Sequence, residues 1–168
     1  MGTKHHKTTA PKKVKVGIVS VSSTRTLAED KSGHWIRKQA KKERHDIAFH
    51  RIIPDDAEII TQSVLEGIRN HDAQVILLTG GTGISNKDVT IEAVRPLFSK
   101  EITAFGAIFS QLSFEEIDSA ALLSRATAGV IEKTVVFCMP GSLNACKLAC
   151  KALIFPELGH LVRHTLEE

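Results

Sequence analysis

Apolar residues along this chain fall into two patterns: short, mostly apolar runs, and stretches where they recur every three or four positions. The runs are Val14–Val21, Ile47–Ile53, Val75–Leu78 and Thr134–Met139. Each is short and mostly β-branched or aliphatic, which predicts strands buried on both faces rather than alternating half-exposed ones. Between them the periodicity is helical. Trp35, Ile36 and Ala40 mark a helix over about 32–42, and Ile60, Val64 and Ile68 one that starts near Asp55 and Asp56, just after Pro54. A further helix is predicted from Asp88 or Thr90 to about Phe98. The segment Glu101–Arg125 reads as helical or mixed, with Ser113-Phe114-Glu115-Glu116 as a capping box. Helices over about 142–153 and 156–164 close the chain.

Strand and helix alternate four times, which predicts a three-layer α/β/α sandwich around a mostly parallel sheet. In such folds ligands bind beyond the carboxyl ends of the strands. Every unusual motif in the sequence falls at one of those ends.

Composition changes the picture only at the N-terminus. A chain of 168 residues with 42% hydrophobic and 24% charged residues suits one soluble domain, here assigned to residues 14–168. Three cysteines in no CxxC spacing and no membrane-length apolar run are expected of a cytoplasmic protein that makes no membrane contact. The net charge of +3 owes everything to Lys4, Lys7, Lys12, Lys13 and Lys15; without those five lysines the chain carries −2. Residues 1–13 therefore read as a disordered basic tail. Aromatic residues sit in apolar segments rather than among basic ones, so no nucleic-acid partner is expected.

The third run leads directly into Thr79-Gly80-Gly81-Thr82-Gly83. One glycine would serve an ordinary strand–helix turn; three within four positions let the backbone approach a ligand and aim N–H groups at an anion. The loop is neither a Walker A motif nor GxGxxG. Asp88 and Glu92 follow, placed either to cap a helix or, beside an anion loop, to hold Mg²⁺ against phosphate oxygens. Asp55, at another strand end, could meet Asp88 across the crevice as a second metal ligand, and Lys87 could steady developing negative charge. Pro140-Gly141-Ser142 repeats the arrangement at a fourth strand end, either as a plain N-cap or as a second anion cradle. Cys138, Cys146 and Cys150 read as small core residues. His160 and His164 have metal-pair spacing but lack a third ligand.

The glycine loop, Asp88-Val89-Thr90-x-Glu92-Ala93, Ile53-Pro54-Asp55-Asp56, Leu27–Gly33, Leu123-Ser124-Arg125 and Pro140-Gly141-Ser142 together resemble the MoaB/MogA family of molybdenum-cofactor biosynthesis proteins. That family includes the gephyrin G domain. Phe105-Gly106 and the segment from Leu112 to Ile117 resemble the MoaB branch. The resemblance covers about residues 14–165. It implies a molybdopterin-binding fold, a homo-oligomer that is a trimer or dimer of trimers, and partners among other cofactor-biosynthesis proteins. It further implies adenylylation of molybdopterin by Mg²⁺-ATP, with pyrophosphate released and molybdate or tungstate inserted later.

By the same resemblance the essential aspartates map onto Asp55 and Asp88, with Lys87 beside them. The ligand-binding positions map onto Thr79, Gly80, Gly81, Thr82, Gly83, Glu92, Pro140, Gly141 and Ser142, and onto Ser20, Asp30, Ser32 and Gly33 at the pocket rim. Ile91 replaces a common proline and Lys87 a common arginine, and neither change removes a charge. Two other readings stand beside the enzyme: a binding protein that holds molybdopterin without catalysis, and a flavodoxin-like redox module, which the lack of Tyr disfavours.

Overall fold

The structure, a computed structural model, describes residues 11–167. Residues 1–10 of the basic tail lie outside them. Lys13 makes an exposed ion pair with Asp46 at 3.0 Å, and the core starts at Val14.

Six strands form one sheet: β1 (Lys15–Val21), β2 (Asp46–Ile53), β3 (Val75–Thr79), β4 (Lys100–Glu101), β5 (Thr127–Ile131) and β6 (Thr134–Met139), in the order β2-β1-β3-β6-β5-β4. The strands β2, β1, β3 and β6 run parallel, so their carboxyl ends share one edge. β5 and β4 extend the sheet antiparallel.

Six helices cover the sheet: α1 (Lys31–Lys42), α2 (Ala57–Arg69), α3 (Thr90–Val94), α4 (Thr103–Ile117), α5 (Leu143–Ala149) and α6 (Phe155–Leu166). The apolar runs divide residue by residue between two cores. Val16, Ile18, Val75, Leu77, Val135 and Phe137 face α1, α4, α5 and α6. Val19, Val21, Ile76, Leu78, Val136 and Cys138 face α2 and α3. In β1, β3 and β6 an apolar layer on each side leaves no solvent face to mark with polar residues. β2, at the sheet edge and carrying His50 and Arg51, is half-buried rather than buried on both faces. The expected three-layer α/β/α fold is the observed one.

Four local features differ from the sequence reading. β5 was not anticipated, because Gly129 interrupts its short run. That glycine makes room for the Phe98 ring, which a Cβ would strike. The hairpin to β6 turns through Glu132 at φ 54°. The helix expected to reach Phe98 gives way after Val94 to a 3₁₀ turn over Arg95–Leu97, since Pro96 has no N–H to continue the α ladder.

Ser113 begins no helix. It is buried inside α4, whose apolar residues continue through the expected break. The capping-box pairing occurs instead at Thr26, whose N–H and hydroxyl both donate to Glu29 at 2.9 and 2.8 Å. The last two expected helices are joined by a π turn over Cys150–Ile154, which takes up Pro156 without a break. All three cysteines are buried and burial pushes their thiols up, as suits inert core residues.

Candidate functional site

A cleft of about 410 Å³ opens over the carboxyl ends of the parallel strands. Three loops build it. The first follows β1 and carries Ser22, Ser23, Thr24 and Arg25. The second is the glycine loop after β3, and the third is Pro140-Gly141-Ser142 after β6. Asp55, at the end of β2, and Asp88 with Lys87, before α3, complete the rim. Asp55 and Asp88 therefore line one cleft.

The glycine loop has this shape because its backbone must. Gly80 and Gly81 adopt φ of 99° and 63°, a region that favours glycine. A Cβ on Gly80 would also strike the Val21 carbonyl, and one on Gly141 would lie 3.1 Å from Gly80 Cα. Two loops from different strands thus touch backbone to backbone. The loop is also tied from behind. Thr90 donates its hydroxyl to the Gly80 carbonyl at 2.8 Å and its N–H to the Gly81 carbonyl at 2.9 Å. Arg125 Nε donates to the Thr82 and Gly83 carbonyls at 3.0 and 3.1 Å. In a trans peptide the N–H points opposite its C=O. With the Gly80 and Gly81 carbonyls both held by Thr90, the N–H groups of Gly81 and Thr82 point away from that residue, an arrangement suited to an anion.

The two aspartates are seated alike. Asp55 Oδ2 accepts the Ser23 N–H and hydroxyl at 2.8 and 2.7 Å; Asp88 Oδ2 accepts the Ser85 N–H and hydroxyl at 2.9 and 2.6 Å. Neither caps a helix. Asp56 does that for α2, accepting the N–H groups of Glu58 and Ile59, and α3 starts at Thr90 without a side-chain cap. The Ser85 hydroxyl, the N–H groups of Ser85 and Gly83, and the positive charge of Arg125 hold the Asp88 carboxyl below its usual range, against a smaller cost of burial. Two carboxylates with hard oxygen donors beside an anion cradle match the chemistry of Mg²⁺ bridging to phosphate. Among the described residues no group of three or more His, Cys, Asp or Glu side chains is arranged to hold a metal.

Not every proposed site residue lines the cleft. Asp30 is 1% exposed and sits behind it. It caps α1 through the Gly33 N–H at 2.9 Å, accepts the Ser20 hydroxyl and is 2.8 Å from His50 Nε2. Burial pushes this carboxyl up, but the hydrogen bonds from His50, Ser20 and Gly33 outweigh that and leave it lowered. Ser32 donates to the Gly141 carbonyl at 2.9 Å and Thr79 to the Pro140 carbonyl at 3.0 Å, so both hold the third loop. Ser142 is the N-cap of α5, accepting the Ala145 N–H, and lines the cleft. Glu92 faces away and pairs with Arg125.

Sequence reasoning missed Ser23, Arg25, Thr90 and Arg125 as parts of the site. The first two sit in a loop with no glycine or proline to flag it. Thr90 and Arg125 act on the glycine loop from 10 and 43 positions away at most.

Residues 17–160 match the sequence profile of the family described as "Probable molybdopterin binding domain". The chain belongs to this family. It is 49% identical to Molybdenum cofactor biosynthesis protein B of Bacillus subtilis, over 97% of this chain and 96% of that one. Among solved structures, a Molybdenum cofactor biosynthesis protein B superposes with a TM-score of 0.91 at 47% identity, covering 95% and 99% of the two chains. The tungsten cofactor synthesizing protein MoaB from Pyrococcus furiosus superposes with a TM-score of 0.85 at 40% identity, covering 94% and 100%. Among the described residues no helix is long and apolar enough to cross a membrane.

Proposed function

We propose that this chain binds molybdopterin in the strand-end cleft and adenylylates it with Mg²⁺-ATP. One observation carries the reading: Asp55, Asp88, Lys87 and the backbone N–H groups of the glycine loop meet around one opening. Each of these is what a pair of phosphorylated ligands needs and what a hydrophobic ligand would not use. The family membership and the names of its relatives support the molybdopterin half of the proposal.

An oxygen of the molybdopterin phosphate attacks the α-phosphorus of ATP. The bond from that phosphorus to the bridging oxygen breaks, and pyrophosphate leaves with the electron pair. Asp55 and Asp88 would hold Mg²⁺, which would supply neutralisation of phosphate charge. The glycine-loop N–H groups bind phosphate oxygens, and Lys87 offsets negative charge on the leaving group. No side chain needs to form a covalent bond, so orientation and electrostatics carry the rate.

The test is pyrophosphate release from Mg²⁺-ATP with and without molybdopterin. Release that depends on molybdopterin is expected. Tight molybdopterin binding without release would instead make the chain a carrier.

We also infer a homo-oligomer acting in the cytoplasm with other cofactor-biosynthesis proteins. Leu122 is 84% exposed, Phe114 57% and Ile117 48%, beside a groove of about 570 Å³. Apolar side chains gathered in this way suit an interface. Light scattering on the purified full chain checks this, and a monomer at micromolar concentration would refute it.

A further inference from the structure

We propose that Arg125 is a positioning residue: it sets the peptide between Thr82 and Gly83 so that one side of that peptide holds Asp88 and its neighbours face the phosphates. For its ligand this inference rests on the function proposed above; for the loop it rests on geometry alone.

The guanidinium uses both of its edges. Nε is shared by the Thr82 and Gly83 carbonyls, while Nη1 and Nη2 grip the two oxygens of Glu92 at 2.6 and 3.2 Å. The Thr82 carbonyl and the Gly83 N–H belong to the same peptide plane and point in opposite directions. Arg125 holds the carbonyl, and Gly83 packs against the Asp88 carboxyl so closely that a Cβ there would lie 2.8 Å from Oδ2. The fork of Arg125 therefore reaches Asp88 through one rigid peptide, and its positive charge reaches it directly.

An ordinary stabilising ion pair would not explain this arrangement. The Arg125 and Glu92 side chains are 35% and 53% exposed, and pairs so exposed contribute little to folding. What Arg125 adds is direction. Gly83, shared by both peptides, has no side chain to fix it, and a planar fork anchored by Glu92 fixes both carbonyls together. Lysine cannot substitute, because a single ammonium on a flexible stem does not span two carbonyls and a carboxylate in one plane. Glu92, set back from the cleft, then serves as the anchor of that fork.

Arg125→Lys and Glu92→Gln in the full chain test the proposal without ligand first. Backbone ¹⁵N relaxation at Gly81, Thr82 and Gly83 is expected to show order parameters near the rigid value of about 0.85 in the native chain and below about 0.6 in Arg125→Lys. The hairpin residues of β5 and β6 should not change. Calorimetric binding of Mg²⁺-ATP should weaken about tenfold in Arg125→Lys, the size typical of losing a group that orients a ligand-binding one. Glu92→Gln should move both readouts the same way and less far.

A folded Arg125→Lys with an unchanged loop overturns the proposal. Should that variant fail to fold, an unchanged loop in Glu92→Gln overturns it equally. A loosened loop in a chain whose native form releases no pyrophosphate with molybdopterin would leave Arg125 in its role and remove the adenylyltransferase reading. An unchanged loop in an active chain would do the reverse.

Discussion

Asp30 and Asp88 stand near the same edge of the same sheet, each accepts a serine hydroxyl, and each has a glycine packed against its carboxyl. Their fates differ because of what lies beyond them. Asp30 is enclosed: Ser20, Gly33 and His50 use its oxygens, and α1 shuts it from water. Asp88 is held by Ser85 and Gly83 on one side and lines an open cleft on the other. A carboxylate whose bonds are all internal stabilises the fold, whereas one fixed by half its capacity is oriented and still available. Asp55, gripped by Ser23 through one oxygen, belongs with Asp88.

The largest expected effect separates the two. Asp88→Asn should reduce molybdopterin-dependent pyrophosphate release by about a thousandfold, the upper range for losing one electrostatic group, while the melting temperature stays within about 2 °C. Full activity in that variant would break the comparison at once. Asp30→Ala should do the opposite. It strands three buried donors and removes a helix cap, so urea unfolding should show a loss of about 3 kcal/mol.

A smaller effect is expected at Gly80. Alanine there must adopt a φ of 99° and crowd the Val21 carbonyl, costing about 2 kcal/mol by the same measurement. Acid titration sharpens the contrast further. Because the folded pKa of Asp30 is lowered, its contribution is complete above the ordinary carboxylate range and is lost as pH falls through the folded value. The stability gap between the native chain and Asp30→Asn should narrow as pH falls below about 4. Last, Ser142→Ala should cost about 1 kcal/mol, the value of an N-cap.

The architecture was legible because burial on both faces leaves a plain mark: the mostly apolar runs of β1, β3 and β6 carry it, whereas β2, an edge strand with His50 and Arg51, is only half-buried. β5 left no such mark, since its Gly129 answers to the Phe98 ring 31 positions away. The glycine loop was legible for a related reason. Backbone that must turn at positive φ calls for glycine whatever surrounds it, so Gly80 and Gly81 announce themselves locally.

Polar residues carry no equivalent local sign. Ser20, Asp30, Gly33, Thr79 and Glu92 look in sequence like rim residues, and packing turned each of them inward or away. Arg125 shows the converse. The Leu123-Ser124-Arg125 motif belongs to the family resemblance, but its sequence gives Arg125 no role until the fold lays it against two loop carbonyls.

By itself, then, the sequence determined the layers, the parallel strands and where the backbone must bend, because hydrophobic periodicity and φ restrictions act over a few residues. Only the tertiary structure decided which carboxylates face the cleft and which are closed off, because a hydrogen bond to an aspartate depends on donors brought from distant strands and helices.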